Sequence, residues 1–165
     1  MNGAAWHLVV NHVPVIGYPF TFVLLVLSLL RKSDELSIVS YGALLVLAGA
    51  TFASLRTGGP AAHVVRRFAE IVPETIHQHA HAADQGWYGA IALAVVGLAG
   101  LAFFRSARSW TVLAALGTLA LSVQFGWVAH LGGLIRHPEI GGGPLPAAVS
   151  QAPGTPSSPS KHDRL

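Results

Sequence analysis

Four long apolar stretches, separated by short polar segments, make up most of the chain. They cover residues 4–30, 36–55, 73–104 and 110–131. Each is close to or longer than the roughly 20 residues that a helix needs to cross the hydrocarbon core of a bilayer. A helix satisfies its own backbone hydrogen bonds, as a segment inside a membrane must. The pattern therefore predicts an all-α integral membrane protein, a bundle of four antiparallel spans.

The polar segments between the spans predict two tight turns and one surface helix. Residues 31–35 and 105–108 are short and charged, so each is predicted to connect its two spans directly. Residues 57–60, with the sequence TGGP, are predicted to end the second span. Residues 61–71 then predict a short amphipathic helix at the membrane interface between spans 2 and 3, with Arg66 and Arg67 among the lipid headgroups.

The composition of the chain changes near residue 140. Residues 141–165 are rich in glycine, proline and serine. Such a segment has too little apolar surface to offset the entropy of ordering it, so we expect a disordered C-terminal tail. The predicted organisation is one transmembrane domain over residues 1–140, followed by the tail over residues 141–165.

Composition and charge exclude several classes of function. The chain is 52% hydrophobic and 10% charged, whereas soluble domains carry about 25% charged residues. A net charge of +3 without a basic, aromatic-rich face gives no support for nucleic-acid binding. The absence of cysteine excludes disulfides, thiolate metal sites and covalently attached c-type haem. Ser54 and Ser122 stand in no nucleophile motif, which argues against a hydrolase.

The basic residues of the short turns indicate an orientation. Arg31, Lys32, Arg105 and Arg108 lie in the two turns, and basic residues next to spans favour the cytoplasmic side. We therefore expect a multi-pass protein of a bacterial inner membrane with both termini on the non-cytoplasmic side. The partners expected from this placement are membrane lipid and other membrane proteins.

The histidines fall on one side of the predicted bundle. In four antiparallel spans, the starts of spans 1 and 3 lie at the same end as the ends of spans 2 and 4. Eight of the nine histidines belong to that end, and the ninth, His162, is in the tail. Imidazole binds metals, and polar groups in membrane spans usually mark function. The pattern predicts a metal or haem site built from this group: His7, His12, His63, His77, His79, His81, His130 and His137.

Helical geometry leaves two arrangements open. His77 and His81 project from nearly one face of the third span, while His79 points to the other. The i, i+4 pair His77/His81 suits a copper or zinc site. A haem in a bundle instead takes single histidines from facing helices. His79 with His12, or with a histidine near the end of the fourth span, suits that arrangement.

Four short motifs carry a resemblance to known proteins. They are NHVPVIG at 11–17, TGGPA at 57–61, IHQHAHAA at 76–83 and LGGLIRHPE at 131–139. With the patterns NHxPxxG, TGxPA, IxxHxxAA and LGGxIRHPE in this order, the chain resembles a group of small four-span bacterial membrane proteins over about residues 6–140. That group is similar in appearance to cytochrome b-like bundles. The resemblance implies a haem-binding four-helix bundle.

The resemblance also implies which histidines matter. His12, His79 and His137 are the shared positions, and His7 is often present in the group. The chain departs from the pattern at Ala80, where the group commonly has an acidic residue, and at His130, where it commonly has asparagine. The additional histidines, His77, His81 and His130, leave open whether this chain has an added site.

The function predicted from the sequence is a membrane-embedded haem b electron-transfer subunit. The expected ligands are His12 and His79, with His137 and either His7 or His130 as a second pair if two haems are bound. Electrons would pass to a partner protein or a quinone on the histidine side, as in a redox carrier subunit rather than a self-sufficient enzyme. The alternatives are copper or zinc binding, transport or sensing, and a structural subunit of a larger membrane complex.

Glycines in the spans have two possible roles. They either make room for a haem ring or allow close packing between helices. Arg56, Arg66 and Arg136 are the expected partners for haem propionates. The glycines concerned are Gly17, Gly42, Gly49, Gly86, Gly89 and Gly132.

Overall fold

The chain folds as four long helices joined by short turns. The computed structural model describes residues 3–67 and 73–137. Within them, α1 spans Gly3–Arg31, α2 Asp34–Val65, α3 Pro73–Phe103 and α4 Arg108–Arg136, and no strand is present. The predicted all-α four-helix bundle is confirmed.

The outer surface of the bundle is apolar. All four helices are long and apolar enough to cross a membrane. Large hydrophobic side chains face outward along their whole length, among them Phe103, Leu30 and Tyr88, which are 80%, 73% and 72% exposed. A continuous exposed apolar surface of this kind requires a nonpolar surrounding. The molecule is therefore a multi-pass membrane protein that contacts lipid.

The helices form a closed ring in which each packs against the next. α1 contacts α2, α2 contacts α3, α3 contacts α4, and α4 returns to α1, so that α1 and α3 face each other diagonally across the centre. The core contains two fully buried tyrosines, Tyr18 and Tyr41, and aliphatic side chains from all four helices. Tyr18 stacks on Phe125 of α4, with ring centroids 5.2 Å apart. This ring closure places inward-facing residues of α1 and α3 opposite each other.

Several glycines allow these close contacts between helices. A Cβ at Gly17 would overlap Leu47, one at Gly86 would lie 3.1 Å from Phe125, and one at Gly89 would lie 2.8 Å from Leu121. These three glycines therefore serve helix packing. Gly42 and Gly49 have no atom within 4 Å of such a Cβ. Of the six glycines considered above, Gly132 is the one whose Cβ would meet a histidine.

The second helix is longer than the sequence predicts, and the described residues resolve no separate surface helix after it. α2 continues through residues 57–60 to Val65, so residues 61–65 are its last turns. Glycine and proline lower helix propensity, but tertiary contacts override it here. His7 of α1 bonds to Thr57, and Gly3 packs so closely on Pro60 that a Cβ on Gly3 would lie 2.7 Å from the proline Cβ. The rest of the predicted surface helix, residues 68–71, lies outside the described residues.

The fourth helix also runs further than predicted, through Gly132 and Gly133 to Arg136. This extra turn continues the helix beyond Leu131, which is buried, and brings Gly132 beside α3. The predicted tail over residues 141–165 lies outside the described residues.

Candidate functional site

The expected antiparallel order gathers the histidines at one end of the bundle. His7 near the start of α1 bonds to the end of α2, and His79 near the start of α3 bonds to α4 close to its end. These two contacts confirm that the starts of α1 and α3 meet the ends of α2 and α4. The candidate site is the space between His7 and His79, which come from the two diagonal helices.

The His7 ring is held by the last turns of α2. It is half-buried, and its Nδ1 lies 3.1 Å from the carbonyl oxygen of Ser54 and 3.0 Å from the hydroxyl oxygen of Thr57. The Thr57 hydroxyl in turn donates to carbonyls of its own helix, including that of Ser54 at 2.9 Å. Gly58 lies directly against the ring, since a Cβ there would be in ordinary van der Waals contact with the His7 Cε1, at 3.6 Å. The TGGP segment thus forms the wall against which His7 rests.

The His79 ring is held in the same way by α4. It is half-buried, and its Nδ1 lies 3.0 Å from the carbonyl oxygen of Val128. A Cβ on Gly132 would lie 3.2 Å from the His79 Cε1 and 3.3 Å from its Nδ1. A side chain at position 132 would therefore press on the ring, so the glycine fixes where the imidazole lies.

The two rings form a pair with matched chemistry. Their centroids are 6.3 Å apart, and their planes are almost perpendicular, at 87°. A carbonyl oxygen only accepts hydrogen bonds, so each Nδ1 must carry the proton that it donates. This fixes the tautomer in which Nε2 has a free lone pair, the arrangement usual for a metal-binding histidine.

A buried acceptor lies one turn below His7. Asn11 follows His7 by four residues on the same face of α1, about 6 Å further along the helix. Among the described residues, its Oδ1 is the buried side-chain oxygen or nitrogen without a hydrogen-bond partner. An unsatisfied buried acceptor costs about 1–3 kcal/mol. Because it lies one turn from His7, this oxygen is a candidate contact for a group bound at the site.

The polar side chains beneath the site tie helices together. Gln124 donates from Nε2 to the carbonyl of Ala82 at 2.9 Å, which joins α4 to α3 one turn below the His79 bond. Tyr18 lies 3.5 Å from Thr51 between the hydroxyl oxygens and joins α1 to α2. The two bonds thus join α3 to α4 and α1 to α2 on the core side of the histidine pair.

His12 lies outside this centre. It is exposed, and its Nδ1 donates to the carbonyl of Leu8 in its own helix at 2.5 Å. Five residues separate it from His7, which turns the two side chains about 140° apart around α1. The structure therefore brings His79 together with His7 and leaves His12 on another face.

The remaining predicted histidines are also exposed. His77 and His81 lie about 160° around α3 from His79. The ring of His130 lies against Trp127 at a centroid distance of 5.4 Å. His137 ends α4, where its backbone N–H donates to the carbonyl of Gly133 at 2.9 Å. Across residues 3–67 and 73–137, no three side chains of the His, Cys, Asp or Glu type gather in one place.

The spacing arguments named His7 as a candidate ligand but paired His79 with His12 or with a histidine of the fourth span, although the sequence contains a signal for the contact between His7 and His79. The buried residues of α1 recur every three or four positions: Pro14, Tyr18, Thr21, Leu25 and Ser28. Continued toward the N-terminus, this period reaches Asn11 and then His7, and it passes over His12. A helical-period count would have favoured His7 as the inward-facing residue.

The candidate site therefore consists of two oriented imidazoles, their carbonyl partners on α2 and α4, and one unsatisfied amide oxygen. The likeness of the four motifs to small bacterial membrane proteins remains a prediction. The chain matches no family model, no curated protein and no solved structure.

Proposed function

We propose that the chain is a membrane-embedded haem b electron-transfer subunit and that His7 and His79 are the axial ligands. The observation that carries the proposal is the His7/His79 pair, in which each Nδ1 is bonded to a backbone carbonyl of a neighbouring helix. That bond directs the Nε2 lone pair of each ring away from its supporting helix. Two such imidazoles on diagonal helices are the ligand set that a bundle offers to haem.

The spacing of the rings supports a shared metal. An imidazole nitrogen lies roughly 2 Å from a bound metal, so two imidazoles on opposite sides of one metal have ring centres roughly 6 Å apart. The centroids of His7 and His79 are 6.3 Å apart. An aromatic contact alone also permits this distance. The buried Asn11 oxygen and the close approach of the His79 ring to Gly132 favour a site built around a ligand.

The number of ligands favours haem over a bare copper or zinc ion. Haem iron takes two axial ligands from the protein, whereas zinc sites use three or four protein ligands. His7 and His79 supply two. The exposed pair His77/His81 remains the alternative position for copper or zinc, and the two models predict different dispensable residues.

The residues of the site fit a carrier rather than an enzyme that binds substrate. Haem b supplies reversible one-electron chemistry at its iron. His7 and His79 would both hold the iron, which would leave no position on it for a substrate. The hydrogen bonds from Nδ1 to the carbonyls of Ser54 and Val128 raise the basicity of the ligands and hold their orientation.

The location of the pair defines the side on which electrons are exchanged. His7 and His79 lie near the start of their helices, at one end of the bundle and not at its middle. We propose that a redox protein or a quinone exchanges electrons there, within a larger membrane complex. The exposed Arg56 and Arg136 belong to the same end and are suited to haem propionates. In a bacterial inner membrane, the basic turns at the other end would place this site on the non-cytoplasmic side.

An absorption spectrum of the full chain purified in detergent tests the proposal. After expression with added haem precursor, we expect a Soret band and, on reduction, the sharp α band of a six-coordinate bis-histidine haem. One haem per chain is the expected stoichiometry. A colourless protein that contains copper or zinc by elemental analysis would contradict the haem proposal and support the alternative metal site.

Replacing Gly132 by Ala should weaken haem binding without unfolding the bundle. The new Cβ would lie 3.2 Å from the His79 Cε1, so the ring must move and its bond to the carbonyl of Val128 must weaken. Loss of such a supporting bond typically costs about 10–100-fold in metal affinity. Gly133→Ala is the matched control, because a Cβ there has no atom within 4 Å.

Titration of haem into the two apoproteins measures this difference. Equal affinities for the Gly132→Ala and Gly133→Ala proteins would contradict a role for His79 as a ligand held by α4.

A further inference from the structure

A polar cavity lies at the end of the bundle opposite the histidines. It opens between the turn that joins α1 to α2 and the turn that joins α3 to α4, and its volume is about 180 Å³. At roughly 30 Å³ per water molecule, this is ample room for a group of five heavy atoms. The apolar core separates the cavity from the histidine pair, so the two are separate features of the bundle.

The lining of the cavity combines cations with hydroxyl groups. Lys32 and Arg108 contribute positive charge, and Asp34 contributes one carboxylate, which accepts a hydrogen bond from Ser106 at 2.7 Å. The guanidinium of Arg108 donates from Nη2 to the carbonyl of Leu29 at 2.6 Å, which anchors it beside the cavity. The two cations outnumber the single carboxylate, so the lining carries a net positive charge and is suited to an anion.

Three buried hydroxyls form the inner wall of the cavity. Ser28 and Ser37 lie 2.7 Å apart between their hydroxyl oxygens, and Ser37 lies 3.5 Å from Thr111 in the same way. Thr111 in turn lies 2.9 Å from the buried hydroxyl of Tyr41. The network joins α1, α2 and α4, and it also supplies hydroxyl donors at the base of a positively charged opening.

Lys32 occupies a backbone position at which glycine is usual. The N–H of Ser33 donates to the carbonyl of Ser28 at 3.0 Å, the bond that closes a Schellman motif at the end of α1. Lys32 is the left-handed residue of that motif, with φ 54°, and it is the sole non-glycine residue with positive φ in residues 3–67 and 73–137. A left-handed conformation is unfavourable for a residue with a Cβ. The lysine side chain lines the cavity, a contact that closing the end of the helix does not require.

The start of α4 lacks a cap of its own. Ser33 caps α2 by accepting a bond from the N–H of Leu36, whereas Ala107 at the start of α4 makes no side-chain cap bond. An anion near an uncapped helix start is favoured by the helix dipole and the free N–H groups. The start of α4 would therefore favour an anion in addition to the two side-chain cations that line the cavity.

We propose that this cavity binds a phosphate group, presented by an anionic lipid headgroup or as free phosphate. Lys32 and Arg108 neutralise its charge. The hydroxyls of Ser28 and Thr111 turn from their present acceptors, the Ser37 hydroxyl and the carbonyl of Ala107, and donate hydrogen bonds to its oxygens. The cavity lies between two turns that connect membrane spans, so it faces the headgroup layer, where lipid phosphates are concentrated. The site is independent of haem and remains in place whether or not the haem proposal holds.

Thermal unfolding of the full chain in dodecyl maltoside, at constant ionic strength, tests the site. Dioleoyl phosphatidic acid and dioleoylglycerol differ only by the phosphate group, and sodium phosphate serves as the free form. We expect phosphatidic acid at a hundredfold excess over its Kd to raise Tm by roughly 5 °C, and dioleoylglycerol to leave it unchanged. An equal rise with sodium phosphate assigns free phosphate as the ligand, whereas a rise with phosphatidic acid alone assigns the lipid.

Two variants separate this site from general charge attraction. Lys32→Gly should keep or raise the Tm of the unliganded protein, because glycine suits φ 54°, and should reduce the ligand-induced rise by at least half. Arg105→Gln removes one charge from the neighbouring turn, outside the cavity lining, and should leave the rise intact. The proposal fails if neither phosphate ligand raises Tm, if Lys32→Gly keeps the full rise, or if Arg105→Gln loses it equally.

Discussion

Replacing His79 by Ala is expected to remove bound haem from the protein, and His7→Ala is expected to do the same. Each substitution takes away one of the two axial ligands and leaves an apolar methyl group that binds no iron. A single remaining imidazole cannot hold both faces of the iron, so we expect haem content to fall at least tenfold. The measurement is the ratio of Soret to protein absorbance in protein purified from haem-supplemented cells.

The exposed histidines provide matched controls for this loss. His12→Ala lies on the same helix as His7 but about 140° around it, and it should retain full haem content. The double variant His77→Ala, His81→Ala flanks His79 on α3 and should also retain it. Helical circular dichroism on all variants distinguishes loss of a ligand from loss of the fold.

The reverse pattern would overturn the assignment. If His12→Ala removes haem and His7→Ala does not, the pair predicted from the sequence motifs, His12 with His79, holds the iron. If only the double variant loses its cofactor or metal, the i, i+4 site for copper or zinc is the better model.

The number and type of helices can be predicted from the sequence because the lipid environment imposes one strong constraint on a spanning segment. A span must be long, apolar and internally hydrogen-bonded, and each of the four apolar runs satisfies this. The position at which α2 ends cannot be predicted in this way. The TGGP segment has low helix propensity, and its helical conformation depends on His7 and Gly3 of α1, which are distant in sequence.

The candidate site could likewise be predicted only in part from the sequence. One-sided clustering of histidines follows from the antiparallel order of the spans, so the sequence predicts which end of the bundle holds the site. Choosing His7 over His12 requires the facing direction of α1, which follows from its buried stripe through Pro14 and Tyr18. The carbonyl partners of the rings belong to Ser54 and Val128, and no sequence pattern marks a carbonyl, because every residue has one.

Gly97→Ala is expected to destabilise the bundle, although Ala is the better helix former. A Cβ at Gly97 would lie 2.8 Å from the backbone carbonyl oxygen of Tyr41 and 3.2 Å from the Cβ of Leu44. A backbone atom cannot rotate away as a side chain does, so α3 must move away from α2. Overpacking of this kind typically costs about 1–3 kcal/mol, more than the roughly 0.5–1 kcal/mol that replacing a helical glycine by alanine contributes.

Gly49→Ala supplies the matched control for this prediction. Gly49 is an exposed residue within α2, and a Cβ there would have no atom within 4 Å, so only the helix-propensity gain remains. Titration with sodium dodecyl sulfate in mixed micelles measures the free energy of unfolding of both variants. We expect a loss of about 2 kcal/mol for Gly97→Ala and a small gain for Gly49→Ala. Equal stability of the two variants would show that α2 and α3 are not packed closely at Tyr41.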